Sequence, residues 1–514
     1  MKPLKESKKE SYDVIVVGSG IGGLSAAALL AKAGKSVLVI ERHTVAGGCA
    51  HAFKRKGCTF DSAVHLVGGC EPSDDPAGGL IDLILRTVGT REECEFISVD
   101  PFYRAVFPDL VFDAPTRRED FIAAHAKIFP EEEDGLRGFF ELCSEVNREA
   151  RSYPSHATFW QVLSTPWHSP HLARYAGKTV EQVLQQFVRS TELRTLVTGI
   201  WPYLGLPPSR LSFVYFALMM LSYLDEGAYY CRGSFQKMAD AMVHGIENHG
   251  GELLLGATVR RIVLAGDEVA GVRLENGQEI RAKTVISNAD ARHTFEELLS
   301  GSRVAQKTSK AIEDMERSLS TVCIYLLLEG GVPEPLSGHE NFAFQSWSHD
   351  EAYEASLRAE PDSLVLCTPS AVDPSLAREG TAVSALMALI PFDAVGSWRE
   401  SKGAHADALI TQAERISPGF RERIILEDAA SPRTVERYTL NAHGALYGWA
   451  MTPSQSGNKR LAQKTDIRGL WLSGHWTQPG GGIYGVAASG LAAARGVLGV
   501  SSNQELFDAL AASG

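Results

Sequence analysis

Residues 14–17 are an unbroken β-branched apolar run, Val-Ile-Val-Val, following a polar N-terminus. A run without polar alternation predicts a strand covered on both faces. Apolar, Ala/Leu-rich spacing then predicts a helix over 24–32, closed by Gly34, and a second buried strand over 37–40. Strand, helix and strand in that order read as a βαβ unit of a parallel sheet.

The same reading continues along the chain. A strand is predicted over 60–65, helices over 80–88, 119–129 and 131–148, and strands over 102–107 and 110–112. Apolar and aromatic residues then crowd together: Phe159, Trp160, Trp167, Trp201, Tyr203 and the run 211–224. That run suits either a helical core or a lipophilic tunnel or membrane-facing lobe. A helix over 235–248 leads to strands over 252–255, 258–264, 268–274, 279–282 and 283–289, with Asn276-Gly277 as a hairpin turn. Strands over 321–328, 363–367 and 382–390 and a helix over 404–416 precede the last block, a strand ending near Ser473 and a small-residue helix over 486–497.

Composition narrows this little. The 514 residues allow two to four domains, and 44% hydrophobic with 22% charged residues is an ordinary globular balance. A net charge of −12 argues against nucleic acid as a partner. Eight cysteines without a CxxC pair read as reduced thiols, with no metal site expected. The tail MKPLKESKKE has no apolar region of signal-peptide length, and no run reaches the ~18 residues of a spanning helix. The expected location is the cytoplasm, with peripheral membrane contact left open.

The chemistry concentrates at the two ends. Gly18-Ser19-Gly20-Ile21-Gly22-Gly23 sits between the first strand and its helix. Gly18 permits the sharp turn, Gly20 leaves room for a pyrophosphate, and Gly23 lets helix and strand approach closely. The helix N-terminus offers unpaired N–H groups to phosphate. Glu41, ending the second strand, suits a ribose hydroxyl pair and disfavours a 2′-phosphate. Arg42, then Gly47-Gly48, supply a second tight loop beside it. Near the other end, Ser473-Gly474-His475 and Gly480-Gly481-Gly482-Ile483 form another glycine-rich strand–loop–helix unit.

With these residues in view, the chain resembles the phytoene desaturase family of FAD enzymes, including its carotenoid isomerase and retinol saturase branches. Glu41-Arg42 followed by Gly47-Gly48, and AGGCAHAF over 46–53, carry the likeness. The resemblance implies FAD as cofactor, with Val259 near the adenine and the stretch around Gly474, His475, Gly482 and Ile483 over the flavin ring and ribityl chain. The family's Tyr-Pro-x-Gly-Gly is here Tyr230-Cys231-Arg232-Gly233-Ser234, so the proline and second glycine are lost.

The expected fold is α/β: a Rossmann-type FAD-binding domain of the glutathione-reductase and amine-oxidase kind, interleaved with an α+β substrate domain. FAD-binding parts are expected at 1–75, 230–300 and 455–514, a helical lobe at 76–229 and the substrate domain at 301–454. One dinucleotide fingerprint, without a second for a nicotinamide, implies electron exchange with an external donor or acceptor. The resemblance implies a long apolar polyene, carotenoid or retinoid-like, that is isomerised, saturated or desaturated. Saturation needs a proton donor, and His65 is the first candidate; its plainer reading is a structural histidine. Tyr230 is the second catalytic candidate, and together with Trp476 it more readily lines the pocket. Asp61 is expected to hold its loop by backbone hydrogen bonds. Two rivals stand beside this reading: a flavin oxidase of an amine or non-isoprenoid lipid, and a non-catalytic prenyl-lipid carrier. The oligomeric state is left open.

Overall fold

The computed structural model describes residues 7, 9–72, 79–152 and 167–512. Phe159, Trp160 and most of the N-terminal tail lie outside these residues.

The first sheet grows from Ser11–Val17, whose last four residues are buried. It pairs in parallel with Val37–Glu41 on one side and Glu279–Ser287 on the other. Glu252–Leu255 extends the parallel order, and Leu470–Leu472 pairs with the end of Glu279–Ser287. The antiparallel arm Val259–Ala265 and Glu268–Leu274 completes seven strands. The two strands expected across 279–289 are one. Its exposure alternates at first, beside the arm, and its last three residues are fully buried. One strand therefore shows two hydrophobic periods, which read as two elements.

Every residue of the helix Ile21–Lys32 except the last is buried. It packs against Phe235–Asn248 and the C-terminal helix Ile483–Leu498. A Cβ on Gly490 would stand 2.2 Å from the Gly22 carbonyl oxygen, so Ile21–Lys32 and Ile483–Leu498 touch backbone to backbone. This contact joins the beginning of the chain to its end.

The second sheet also has seven strands, ordered Ile424–Ala430, Ser320–Glu329, Thr381–Ile390, Ser363–Cys367, Glu340–Phe344, Tyr103–Phe107 and Leu110–Ala114. Ser320–Glu329 is buried over all but its last residue, as the apolar run over 322–328 requires. Helix Trp398–Ile416 packs on one face of this sheet. On the other, Cys323 and Tyr325 meet the hairpin of Ala52–Arg55 and Cys58–Asp61. That hairpin corrects the expected strand over 60–65: pairing stops at Asp61, and His65 lies in the loop beyond. The Asp61 carboxylate accepts the Phe235 N–H and the Tyr230 hydroxyl, which draws the chain out of the ladder.

The apolar run 211–224 forms the helix Phe213–Leu224. Phe213, Phe216, Ala217, Met220, Leu221 and Leu224 are buried at helical spacing, with Phe213 against Phe139 of Glu133–Ser152. Val214, Tyr215, Leu218, Met219 and Tyr223 form the other face and border an internal cavity. This run is therefore turned inward from both sides. Among the described residues, no single helix is long and apolar enough to cross a membrane.

Candidate active site

A cavity of about 2000 Å³ is walled by elements of both sheets. Its polar part is assembled from the two glycine-rich ends of the chain. Gly18, Gly20, Ile21 and Gly22 reach its wall from the N-terminal turn, and Gly47 and Gly48 from the loop after Arg42. Gly474, His475, Gly482 and Ile483 reach it from the C-terminal block, and Val259 from the antiparallel arm. A Cβ on Gly48 would lie 2.9 Å from Gly20 Cα, and one on Gly22 would lie 2.9 Å from the Gly474 nitrogen. The three loops leave no room for side chains where they meet.

Asn288 fastens this junction, and nothing in the sequence singled it out beyond its place near the end of the strand expected over 283–289. Its N–H donates to the Val17 carbonyl at 2.9 Å, and its Oδ1 accepts the Ser473 hydroxyl at 3.2 Å. Cβ atoms on Gly20 and Gly474 would each fall 2.7 Å from the Asn288 amide. Helices Ile21–Lys32 and Ile483–Leu498 both begin here on glycines, Gly20 and Gly482, with no side-chain cap. Their first N–H groups are thus left for a ligand or water.

Glu41 lies on the same wall with both oxygens engaged. Oε2 accepts the Ser19 N–H and hydroxyl, each at 2.9 Å, and Oε1 accepts the His43 N–H at 2.7 Å. Each oxygen has more than one lone-pair direction, so these bonds orient the carboxylate without exhausting it. Arg42 also lines the cavity, and its guanidinium donates to the Arg437 carbonyl at 2.7 Å, tying this loop to the end of helix Pro432–Thr439. Ser19 and Gly23 lie behind the wall. Ser19 holds Glu41, and a Cβ on Gly23 would sit 2.4 Å from the Gly18 carbonyl oxygen.

The second part of the cavity is apolar. Val214, Leu218 and Met219 of helix Phe213–Leu224 meet Val365, Met387 and Leu389 of the second sheet across it. The Tyr215 hydroxyl donates to the Gly481 carbonyl at 3.1 Å, so the apolar and glycine-lined parts adjoin.

His65 lies on the cavity wall, 3% exposed, with no hydrogen-bond partner at Nε2. Burial, with His339 nearby, lowers its pKa to about 3, so its ring is neutral. A neutral imidazole is not by itself the acid that the sequence suggested. His475 is likewise held neutral by burial and by Arg460, whose guanidinium donates to the His475 carbonyl. Tyr230 is fully buried behind the wall and gives its hydroxyl to Asp61, so the expectation that it faces the substrate is corrected. Burial pushes Asp61 up to about 7. Trp476 also sits behind the wall, donating its indole N–H to Asn441 at 3.1 Å.

Tyr203, one of the aromatic residues the sequence groups together, lies on the wall, and Glu340 and Cys367, which no sequence feature marks as site residues, lie behind it. Ligating atoms of His65, Glu340 and Cys367 all lie within 4.8 Å of one another. His65 comes from a stretch far from the adjacent strands that carry Glu340 and Cys367, so no local motif announces the three together. All eight cysteines are free.

Comparison with known proteins agrees with this architecture. The flavin containing amine oxidoreductase family matches residues 21–498, and the chain belongs to that family. It is a flavin-dependent oxidoreductase. Prolycopene isomerase 1 of an Oncidium hybrid cultivar is 28% identical, the match covering 98% of this chain and 87% of the relative. The all-trans-retinol 13,14-reductase of Homo sapiens is 28% identical over 85% of this chain and 77% of its own length. Phytoene desaturase (lycopene-forming) of Pseudescherichia vulneris is 28% identical over 93% and 98%. Among solved structures, an oxidoreductase from Methanosarcina mazei superposes with a TM-score of 0.62 at 17% identity, covering 93% of this chain and 98% of that one. Cyclohexylamine oxidase from Brevibacterium oxydans gives 0.61 at 16% identity, covering 98% and 100%. These two share the fold.

The residues present fit a flavin. Two uncapped helix N-termini, glycines at every close approach and an oriented carboxylate converge on one wall.

Proposed function

We propose that the chain binds FAD and acts on a carbon–carbon double bond of a long apolar polyene, by saturation or isomerisation ahead of desaturation. The observation that carries this reading is the single cavity, glycine-lined in one part and apolar in the other. In it, Gly18 to Gly22 and the N-terminus of Ile21–Lys32 receive the pyrophosphate, and Glu41 accepts the ribose hydroxyls. Val259 lies beside the adenine, Arg42, Gly47 and Gly48 close one side, and Gly474, His475, Gly482 and Ile483 meet the ring end. FAD when bound supplies the hydride or electron step. The chain's own part is to exclude water with the Leu218–Met219 face and to align the polyene beneath that step.

The names of the relatives support a polyene, and the wall chemistry supports it over an amine. Among the described lining residues the only carboxylates are Glu41, at the nucleotide part, and Asp428, paired with Arg55 at 3.0 Å. A buried ammonium without a partner is costly, whereas an apolar chain loses nothing in such a chamber. A carrier without flavin would have no use for the second uncapped helix at Gly482.

Purified enzyme is expected to be yellow. Incubated anaerobically in reduced and oxidised form with poly-cis and all-trans polyenes, it returns products of unchanged mass for isomerisation, two hydrogens heavier for saturation, or two lighter for desaturation. Colourless protein that FAD cannot reconstitute would end the reading.

A further inference from the structure

Behind His65 and Tyr203 lies a buried group that the flavin chemistry above leaves without a role. Glu340 begins the strand Glu340–Phe344 and is 1% exposed. Its Oε2 accepts the Tyr203 hydroxyl, and its Oε1 has no partner. Cys367 is its register partner on the adjacent strand. The His339 ring nitrogen Nε2 donates to the His65 carbonyl at 2.9 Å and stands 3.6 Å from Glu340 Oε1. The titratable groups around Glu340 are therefore His65, His339, Tyr203 and Cys367, with Tyr223 farther off.

None of these neighbours is a cation. Burial lowers His65 to about 3 and His339 to about 4, and the groups that shift Glu340 include neither lysine nor arginine. An ionised Glu340 would be an unpaired buried charge, which water competes for by many kcal/mol. The neutral acid wins, and burial pushes its pKa up to about 8. A protonated Oε1 then carries a donor for which no nitrogen or oxygen acceptor is in place, beside the Cys367 thiol, and His65 Nε2 is a second buried atom without a partner. The separation of up to 4.8 Å between the ligating atoms of His65 and Glu340 is one that a single water bridges.

We infer that Glu340 is a positioning residue, a buried carboxylic acid that stores a proton and passes it through His65 to the substrate when a double bond is saturated. This rests on the polyene reading above. In the step, the π bond breaks and two C–H bonds form. The hydride comes from reduced flavin, recharged by an external two-electron donor, and bonds to one carbon. The neighbouring carbon takes the proton from one nitrogen of His65 as the other nitrogen receives the proton of Glu340. The flavin is oxidised by two electrons and the substrate reduced by two. Glu340 is left as a carboxylate until solvent returns a proton. His65 gains one proton as it gives up another, so it never needs to rest as imidazolium.

The test uses the flavin-loaded full chain, Glu340→Gln and Glu340→Asp, with all-trans-retinol as probe. In wild type, protonated-carboxyl infrared absorption includes a component that titrates near pH 8; Glu340→Gln loses that component and keeps the one from Asp61 that titrates near pH 7. Formation of product two hydrogens heavier falls ~100-fold or more in Glu340→Gln, the usual scale for losing an acid, and recovers partly in Glu340→Asp. Flavin content is unchanged in both. The wild-type rate declines tenfold per pH unit above the carboxyl's pKa, and Glu340→Gln lacks that limb. A glutamine variant that saturates at the wild-type rate overturns the inference, as does an ionised Glu340 at pH 7. So does a stoichiometric metal ion lost with Glu340, which would make the carboxylate a ligand. If wild type yields no heavier product, the proton relay is overturned, while a product of unchanged or lighter mass leaves the polyene reading standing and no product from any polyene ends that reading.

Discussion

The two parts of the cavity are made of different material. The glycine-lined part is backbone: helix N-termini, tight turns and carbonyls, held by Asn288 and Glu41, with side chains excluded wherever the loops meet. The apolar part is side chain: one face of Phe213–Leu224 against the second sheet. A backbone cradle tolerates almost no substitution, because an added Cβ has nowhere to go. A chamber lined by flexible side chains can be reshaped while the fold survives. The contrast predicts that damage to the first part destroys the protein or its cofactor binding, and that damage to the second part retunes substrate choice.

The largest effect is expected at the contacts that join the ends of the chain. Gly23→Ala places a Cβ 2.4 Å from the Gly18 carbonyl oxygen. Gly490→Ala places one 2.2 Å from the Gly22 carbonyl oxygen. Each is expected to cost more than the ~1–3 kcal/mol of ordinary overpacking, since the obstacle is backbone. Thermal unfolding and bound-flavin absorbance measure it, and an unchanged Tm with full flavin content would break the contrast.

Next comes Glu41→Ala, which strands the Ser19 and His43 N–H groups. A cost of ~1–3 kcal/mol is expected from a buried donor left unmade, together with weaker flavin retention on dialysis. Glu41→Gln keeps one oxygen as an acceptor and should fall between wild type and alanine.

Leu218→Trp and Met219→Trp narrow the apolar part. Roughly tenfold or larger losses in kcat/KM for a long polyene are expected, in line with the loss of a few contacts, while flavin absorbance and Tm stay near wild type. Equal damage to flavin binding would show that the two parts are not separable.

A pH effect sharpens the picture at the seam. The folded pKa of Asp61 is raised to about 7 by burial, above its ordinary carboxylate value. Its contribution to stability is therefore fully present below the ordinary value and is lost as pH rises through about 7. Asp61→Asn should make the decline of Tm between about pH 4 and 7 shallower, leaving the decline that Glu340 imposes from its ordinary carboxylate range up to about 8. A decline equally steep in both proteins would place the titration elsewhere. The smallest effect belongs to the rim: Arg55→Ala breaks the exposed pair with Asp428 and should change stability by less than ~1 kcal/mol.

Most of the polar part was legible because its demands are local. A strand needs a β-branched run, a turn needs Gly18 with its positive φ of 95°, and close approach needs Gly20 and Gly22. Each demand is written within a few neighbouring positions. The single strand Glu279–Ser287 was misread as two because its surroundings change halfway along, which periodicity cannot distinguish from a break. His65 was marked as a titratable residue near the glycine loops, yet its neutrality follows from burial among residues hundreds of positions away. Tyr230 is expected on the cavity as the first residue of the turn that resembles the family's Tyr-Pro-x-Gly-Gly, and only packing reveals that its hydroxyl turns to Asp61.

What the sequence alone determined is the class: a dinucleotide turn at one end, a second glycine loop at the other, and between them an apolar stretch that suits a helical core or a lipophilic tunnel equally. These follow from backbone sterics and hydrophobic periodicity, which act over a turn or two of chain. The tertiary structure decided which side chains meet. It brought Asn288 between the two glycine loops, turned one face of Phe213–Leu224 into the cavity, and set Glu340 behind His65. Those outcomes depend on burial and charge at contacts between distant segments, and no short stretch of chain encodes a dielectric environment.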